Sequence, residues 1–104
     1  MQTEEAIEIA KKNDEFRRRG FGITVTPGVQ SLEDLIGLID EIRRFNDFTE
    51  DNDPYGEHDF GTVHWYGEKV FWKIDYYDPE LKYGRDPLDV ECKRVLTVML
   101  ASEY

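Results

Sequence analysis

Ala6, Ile9, Ala10, Asn13 and Phe16 recur at the spacing of a single helix face, and this predicts a helix over 3–19. Thr3 supplies an N-cap. Glu4 and Glu5 fall in the first turn and Arg17, Arg18 and Arg19 in the last, where each charge suits the helix dipole. Gly20 and Gly22 end the helix. Ile23-Thr24-Val25-Thr26 reads as a short strand closed by a turn at Pro27-Gly28. From Ser31 onward, Leu32, Leu35, Ile36, Ile39 and Ile42 form an apolar stripe, widened by Leu38 and Phe45. Glu33 and Asp34 occupy the first turn, and Arg43 and Arg44 lie near the end of this second predicted helix.

Periodicity then stops. Residues 46–59, NDFTEDNDPYGEHD, form a loop that is long for a small domain, and such loops tend to be functional or disordered. Phe48 and Tyr55 are expected to pin it to the body, and Asn13, a polar residue on an apolar face, is expected to hydrogen-bond its backbone.

After the loop, FGTVHWY and KVFWKIDYY alternate with a period of two on either side of Gly67-Glu68, which predicts a hairpin with a type II′ turn. That turn sets Trp65 against Val70, Val63 against Trp72 and Gly61 against Ile74 on an apolar face. His64 with Phe71, Thr62 with Lys73 and Phe60 with Asp75 make up a mixed face. Asp86-Pro87 looks like an N-cap and N1 pair. It predicts a third helix over 87–102 with Leu88, Cys92, Val95, Leu96 and Met99 inward, and a strand over 95–100 is the rival reading. The expected fold is α+β: a small antiparallel sheet of about three strands, a hairpin plus one strand, packed against three helices.

The 104 residues suit one domain, spanning 1–104. One cysteine, Cys92, precludes an intrachain disulfide. The N-terminal residues carry no apolar run of the signal-peptide kind, so a soluble cytoplasmic protein is expected. A net charge of −10 disfavours direct binding of nucleic acid or an anionic membrane, and suits a basic protein partner.

Candidate chemistry centres on the loop. Asp47, Glu50, Asp51, Asp53, Glu57 and Asp59 follow one another with no Lys or Arg between them. Asp51-Asn52-Asp53-Pro54-Tyr55-Gly56 starts like a calcium loop, but Tyr55 breaks the pattern and Thr62 stands where the closing Glu belongs. The acidic side chains, with Tyr55 and Phe60 as aromatic anchors, make a candidate interaction surface. His58, His64, Lys73 and Asp75 make a candidate ligand site where loop and hairpin meet. Nothing in their spacing selects a metal, and no cofactor motif occurs.

FTEDNDPYGEHDFG, continued by FWKIDYYD and closed by VLTVMLASEY, resembles a family of small uncharacterised proteobacterial proteins, a domain of unknown function often found on plasmids and other mobile elements. The resemblance runs from Asn13 to Tyr104, is loose over 20–46, and implies a bacterial cytoplasmic origin with no assigned activity, cofactor or catalytic residue. With the charge, it leads to two expectations. One is a binding protein that docks on a basic, nucleic-acid-binding host enzyme as an inhibitor of the anti-CRISPR or antirestriction kind. The other is a small enzyme or ligand-binding domain.

Overall fold

A computed structural model describes residues 3–104. The first helix, α1 (Glu4–Arg19), has the predicted ends: the Thr3 hydroxyl accepts a hydrogen bond from the Ala6 amide, and Gly20 closes the helix at φ 76°. The strand β1 (Ile23–Val25) follows. Pro27-Gly28, expected as a turn, is instead the start of the single-turn helix α2 (Pro27–Gln30). Thr26 caps α2 and Pro27 occupies its first turn, where a missing N–H costs nothing. The next helix therefore does not begin at Ser31. It is α3 (Leu35–Arg43), capped by Asp34, whose carboxylate accepts from the Gly37 amide at 3.0 Å. Leu38 and Ile42 of the predicted stripe are fully buried, whereas Ile36 points outward and is 84% exposed.

Three longer strands complete the sheet: β2 (Phe60–Trp65), β3 (Glu68–Tyr77) and β4 (Lys93–Leu100). The architecture is α+β with four strands in the order β1-β4-β3-β2. All neighbours are antiparallel except β1 and β4, which run parallel.

The third helix predicted over 87–102 is not formed. Asp86 does cap a turn, accepting from the Leu88 amide at 2.8 Å, but the turn ends at Cys92 and the chain extends as β4. Two forces outweigh the cap. The run from Val95 to Val98 is rich in β-branched residues, and β3, which pairs with this segment from Val70 to Tyr77, would otherwise leave a long edge bare. Cys92 therefore lies in the segment before β4, half-buried, and not on the inner face of a helix.

The hairpin turn is at Tyr66-Gly67, one residue earlier than expected. Both residues have positive φ, 49° and 83°, as a type I′ turn requires. The register is accordingly Val63 with Val70, Gly61 with Trp72, Thr62 with Phe71 and Phe60 with Lys73. Cross-strand partners change but the faces do not: Val63, Trp65, Val70 and Trp72 share one side, as predicted. A side chain at Gly61 would come within 2.7 Å of Trp72 Cζ2. The observed pairing sets the one β2 residue without a side chain opposite the largest core residue, whereas the expected pairing would have crowded Val63 against it.

On that face Val70, Trp72, Ile74, Leu96 and Val98 bury themselves against Val29, Leu38 and Ile42. The opposite face is mixed and partly covered. Phe60 packs on Phe71 with ring centroids 5.1 Å apart, and C-terminal Tyr104 meets both rings edge-on. Glu103 fastens this end of the chain, accepting from the Thr26 hydroxyl and the Leu100 amide.

Candidate functional site

The acidic loop is wired from within. Asn52 and Thr49 exchange hydrogen bonds: the Thr49 amide donates to Asn52 Oδ1 at 2.8 Å and the Asn52 amide to Thr49 Oγ1 at 3.3 Å. Asn52 Nδ2 also donates to the Asp47 carbonyl. Such short-range bonds are the reason Asn, Asp and Thr favour turns. Asp53 is a structural residue: its carboxylate accepts from the His58 amide and is 7% exposed. His58 adopts φ 57° to make that bond.

α1 anchors the loop from beneath. Asn13, fully buried, donates from Nδ2 to the Glu57 carbonyl at 2.9 Å and to the Tyr76 hydroxyl at 2.8 Å. Its Oδ1 accepts from Arg94 Nε at 2.6 Å. The amide expected to hold the loop therefore does so. One turn further on, Arg17 is buried among aromatic rings. Its Nη2 donates to the Phe45 carbonyl at 2.8 Å and pairs with Asp14 at 3.0 Å, and its guanidinium lies 5.0 Å from the Trp72 ring and 5.4 Å from that of Phe48. Its Nε and Nη1 have no hydrogen-bond partner, so the ring faces are what they meet. Burial lowers its pKa, and Asp14 opposes that shift.

Phe48 pins the loop, as expected. It stacks on His58 with centroids 3.8 Å apart and meets Phe45 and Trp72 edge-on. Tyr55 does not: it is 79% exposed. The His58 ring lies between two carboxylates, with Nδ1 3.1 Å from both Asp14 oxygens and Nε2 3.6 Å from Asp53. Because carboxylates only accept, a hydrogen bond across the Nδ1–Asp14 contact has the ring nitrogen as its donor.

The acidic residues thus divide into two groups. Asp47, Glu50 and Asp51 are exposed, as Tyr55 is, and among the described residues they make no ion pair. Asp53, Glu57 and Asp59 are partly or largely buried: the Asp53 carboxylate and the Glu57 main-chain carbonyl hold the loop, and Asp59 accepts from Tyr76. Burial, together with neighbouring carboxylates, raises the pKa of Glu57. It does the same for Asp59, against the opposing effect of the Tyr76 hydroxyl, which donates to Asp59 at 3.3 Å. Burial also pushes the Tyr76 phenol far above its ordinary range. Phe60 lies beyond the loop on the mixed sheet face, against Phe71.

The candidate ligand site is not brought together. His58 lies on the helix-covered side, stacked on Phe48. By the alternation of their strands, His64, Lys73 and Asp75 lie on the mixed face. There Lys73 and Asp75 pair at 3.0 Å, and this hydrogen bond raises the Lys73 pKa. Among the described residues, no group of three or more His, Cys, Asp or Glu is placed to hold a metal ion. No helix among them is long and apolar enough to cross a membrane.

Sequence reasoning missed Arg17 as a core residue and Asp14 as the partner of His58. The signal for Arg17 was present, because 6, 9, 10, 13 and 17 continue one helical stripe. Asp14 gave no such signal, since its partners come from the loop.

A comparison with curated proteins and one with solved structures each found no match. A scan of protein families found one over residues 25–103, a span that includes the acidic loop, the hairpin and β4. The chain belongs to the family described as Protein of unknown function (DUF3768).

Proposed function

We propose that this protein acts by binding a basic protein partner through the exposed side of its acidic loop. The observation that carries the proposal is the pairing of a rigid base with an unneutralised rim. Asp47, Glu50, Asp51 and Tyr55 all stand exposed on one loop, while Asn13, Phe48 and Asp53 hold that loop in one shape. Fixing the carboxylates in advance reduces the ordering cost of association, and an exposed tyrosine supplies anchoring area at small entropic cost. The net charge of −10 adds long-range attraction toward a basic surface.

The finer proposal is that the partner is a nucleic-acid-binding enzyme or complex of a host defence system, inhibited in the anti-CRISPR or antirestriction manner. Its support is complementarity: a groove that binds phosphate presents the cations this surface lacks. The alternative, a ligand site at the loop, has one observation in its favour. A concavity of about 360 Å³ is lined by Phe48, Glu50, Asp53 and His58. Both ring nitrogens of His58 already face carboxylates, which favours a structural role for it.

The test is affinity capture from host extract, with wild type and with the triple variant Asp47→Asn, Glu50→Gln, Asp51→Asn. The three side chains are exposed and take no part in the loop's internal hydrogen bonds, to which only the Asp47 main-chain carbonyl contributes, so the fold should persist. The proposal predicts a captured basic protein that the triple variant releases and that nucleic acid displaces. Equal capture by both forms would remove the acidic rim from the account.

A further inference from the structure

In a chain of net charge −10, one concave surface is basic. It lies where the C-terminal half of α1 faces the starts of β1 and β4, encloses about 470 Å³, and shares no lining residue with the acidic loop. Lys12 and Arg19 contribute from α1 and Lys93 from β4, and among the described residues none of the three makes an ion pair. Its walls are apolar: Phe16 is half-buried, while Phe21 and Val90 are 75% and 99% exposed.

Two carboxylates also line it. Asp89 is engaged by Arg85 at 3.3 Å, and Glu15 lies between Lys12 and Arg19 on the helix without pairing with either. Arg94 reaches the groove as well, but its guanidinium is bound to Asn13 and to the Pro87 carbonyl. The free cations outnumber the free carboxylate three to one. Large exposed apolar side chains flank them, which an ordinary solvated helix face would not require.

We propose that this groove binds a small amphipathic organic anion: one carboxylate, sulfonate or phosphate-ester group carried on an aromatic or branched aliphatic body. The anion would sit among Lys12, Arg19 and Lys93, with the apolar body between Phe21 and Val90. Two magnitudes decide for a small ligand over a polyanion. The volume lies within the roughly 300–1,000 Å³ usual for small-molecule sites. The surplus of negative charge repels an extended polyanion along its whole length, whereas a single anion in the groove is governed by the cations nearest to it. The Cys92 thiol lines the same wall, and burial raises its pKa, so it contributes apolar surface as a protonated thiol.

The test uses anilinonaphthalene sulfonate as the anionic probe and N-phenylnaphthylamine as its uncharged analogue, titrated into the folded protein by fluorescence and amide NMR. The expected result is saturable one-to-one binding of the sulfonate, with shifts centred on Lys12, Phe21, Val90 and Lys93. The neutral analogue should bind at least about tenfold more weakly. The double variant Lys12→Glu, Lys93→Glu should weaken the sulfonate by about tenfold or more with an unchanged thermal midpoint. Val90→Asp, at an almost fully exposed position, should do the same independently. Shifts centred elsewhere, equal binding of the neutral analogue, or full binding by both folded variants would each overturn the proposal.

Discussion

Gly61 stands directly opposite Trp72 in the hairpin ladder, and the indole occupies the space that a side chain at Gly61 would need. This pairing fixes the register of β2 on β3. It also positions the end of the acidic loop, because the Asp59 carbonyl accepts the next ladder bond, from the Ile74 amide. Gly61→Ala should therefore cost about 1–3 kcal/mol through overpacking, and Trp72→Ala about 3–5 kcal/mol through the cavity left behind. Denaturant unfolding measures both. A loss below about 1 kcal/mol for Trp72→Ala would place the indole outside the core.

Asn13 joins the first helix to the loop and to two strands. Asn13→Ala should cost about 2–4 kcal/mol, because it removes a fully buried amide and leaves the part-buried Arg94 Nε and Glu57 carbonyl without that partner. Hydrogen exchange gives the sharper readout. Amides of 53–58 should lose protection in the variant more than amides of β3 and β4 do. A uniform loss across the chain would mean that Asn13 supports the fold generally and does not hold the loop in particular.

Much of this arrangement is legible in the chain, and the places where it is not have definite causes. Thr3 and Gly20 bound α1 because caps act locally. The shared face of Val63, Trp65, Val70 and Trp72 survives an error in the turn, since a two-residue change of partner preserves the alternation. The segment of β4 reads first as a helix, with a strand over 95–100 as the rival, because Leu88, Cys92, Val95, Leu96 and Met99 also fit a helical period and Asp86-Pro87 imitates a helix start. What decides the outcome is the open edge of β3, a tertiary fact. The division of the acidic residues into exposed Asp47, Glu50 and Asp51 and structural Asp53, Glu57 and Asp59 likewise depends on contacts from α1 and β3 that spacing along the loop does not reveal.

Asp59 and Glu57 give the protein a pH dependence of definite sign. Folding raises the pKa of each, Asp59 above its ordinary 3.8 and Glu57 above 4.5, so the folded state binds more protons than the unfolded one between the two values. Their contribution is thus unfavourable at neutral pH, and it is relieved as pH falls through the raised folded values. Asp59→Asn keeps an acceptor for the Tyr76 hydroxyl and removes the charge. Thermal melts should show the variant gaining stability over wild type at about pH 7 and losing that advantage toward about pH 4. A variant whose deficit is largest at neutral pH would show that the ionised carboxylate stabilises the fold.

The association rate of the captured partner, measured by stopped flow as a function of ionic strength, tests the central claim most directly. Attraction to the carboxylates of Asp47, Glu50 and Asp51 is screened beyond about 8 Å at physiological salt. The wild-type rate should therefore fall steeply between about 50 and 500 mM salt, and the triple neutralised variant should start slower and fall less. Equal rates for the two proteins at every salt concentration, with the variant folded, would contradict the assignment of this loop as the docking surface.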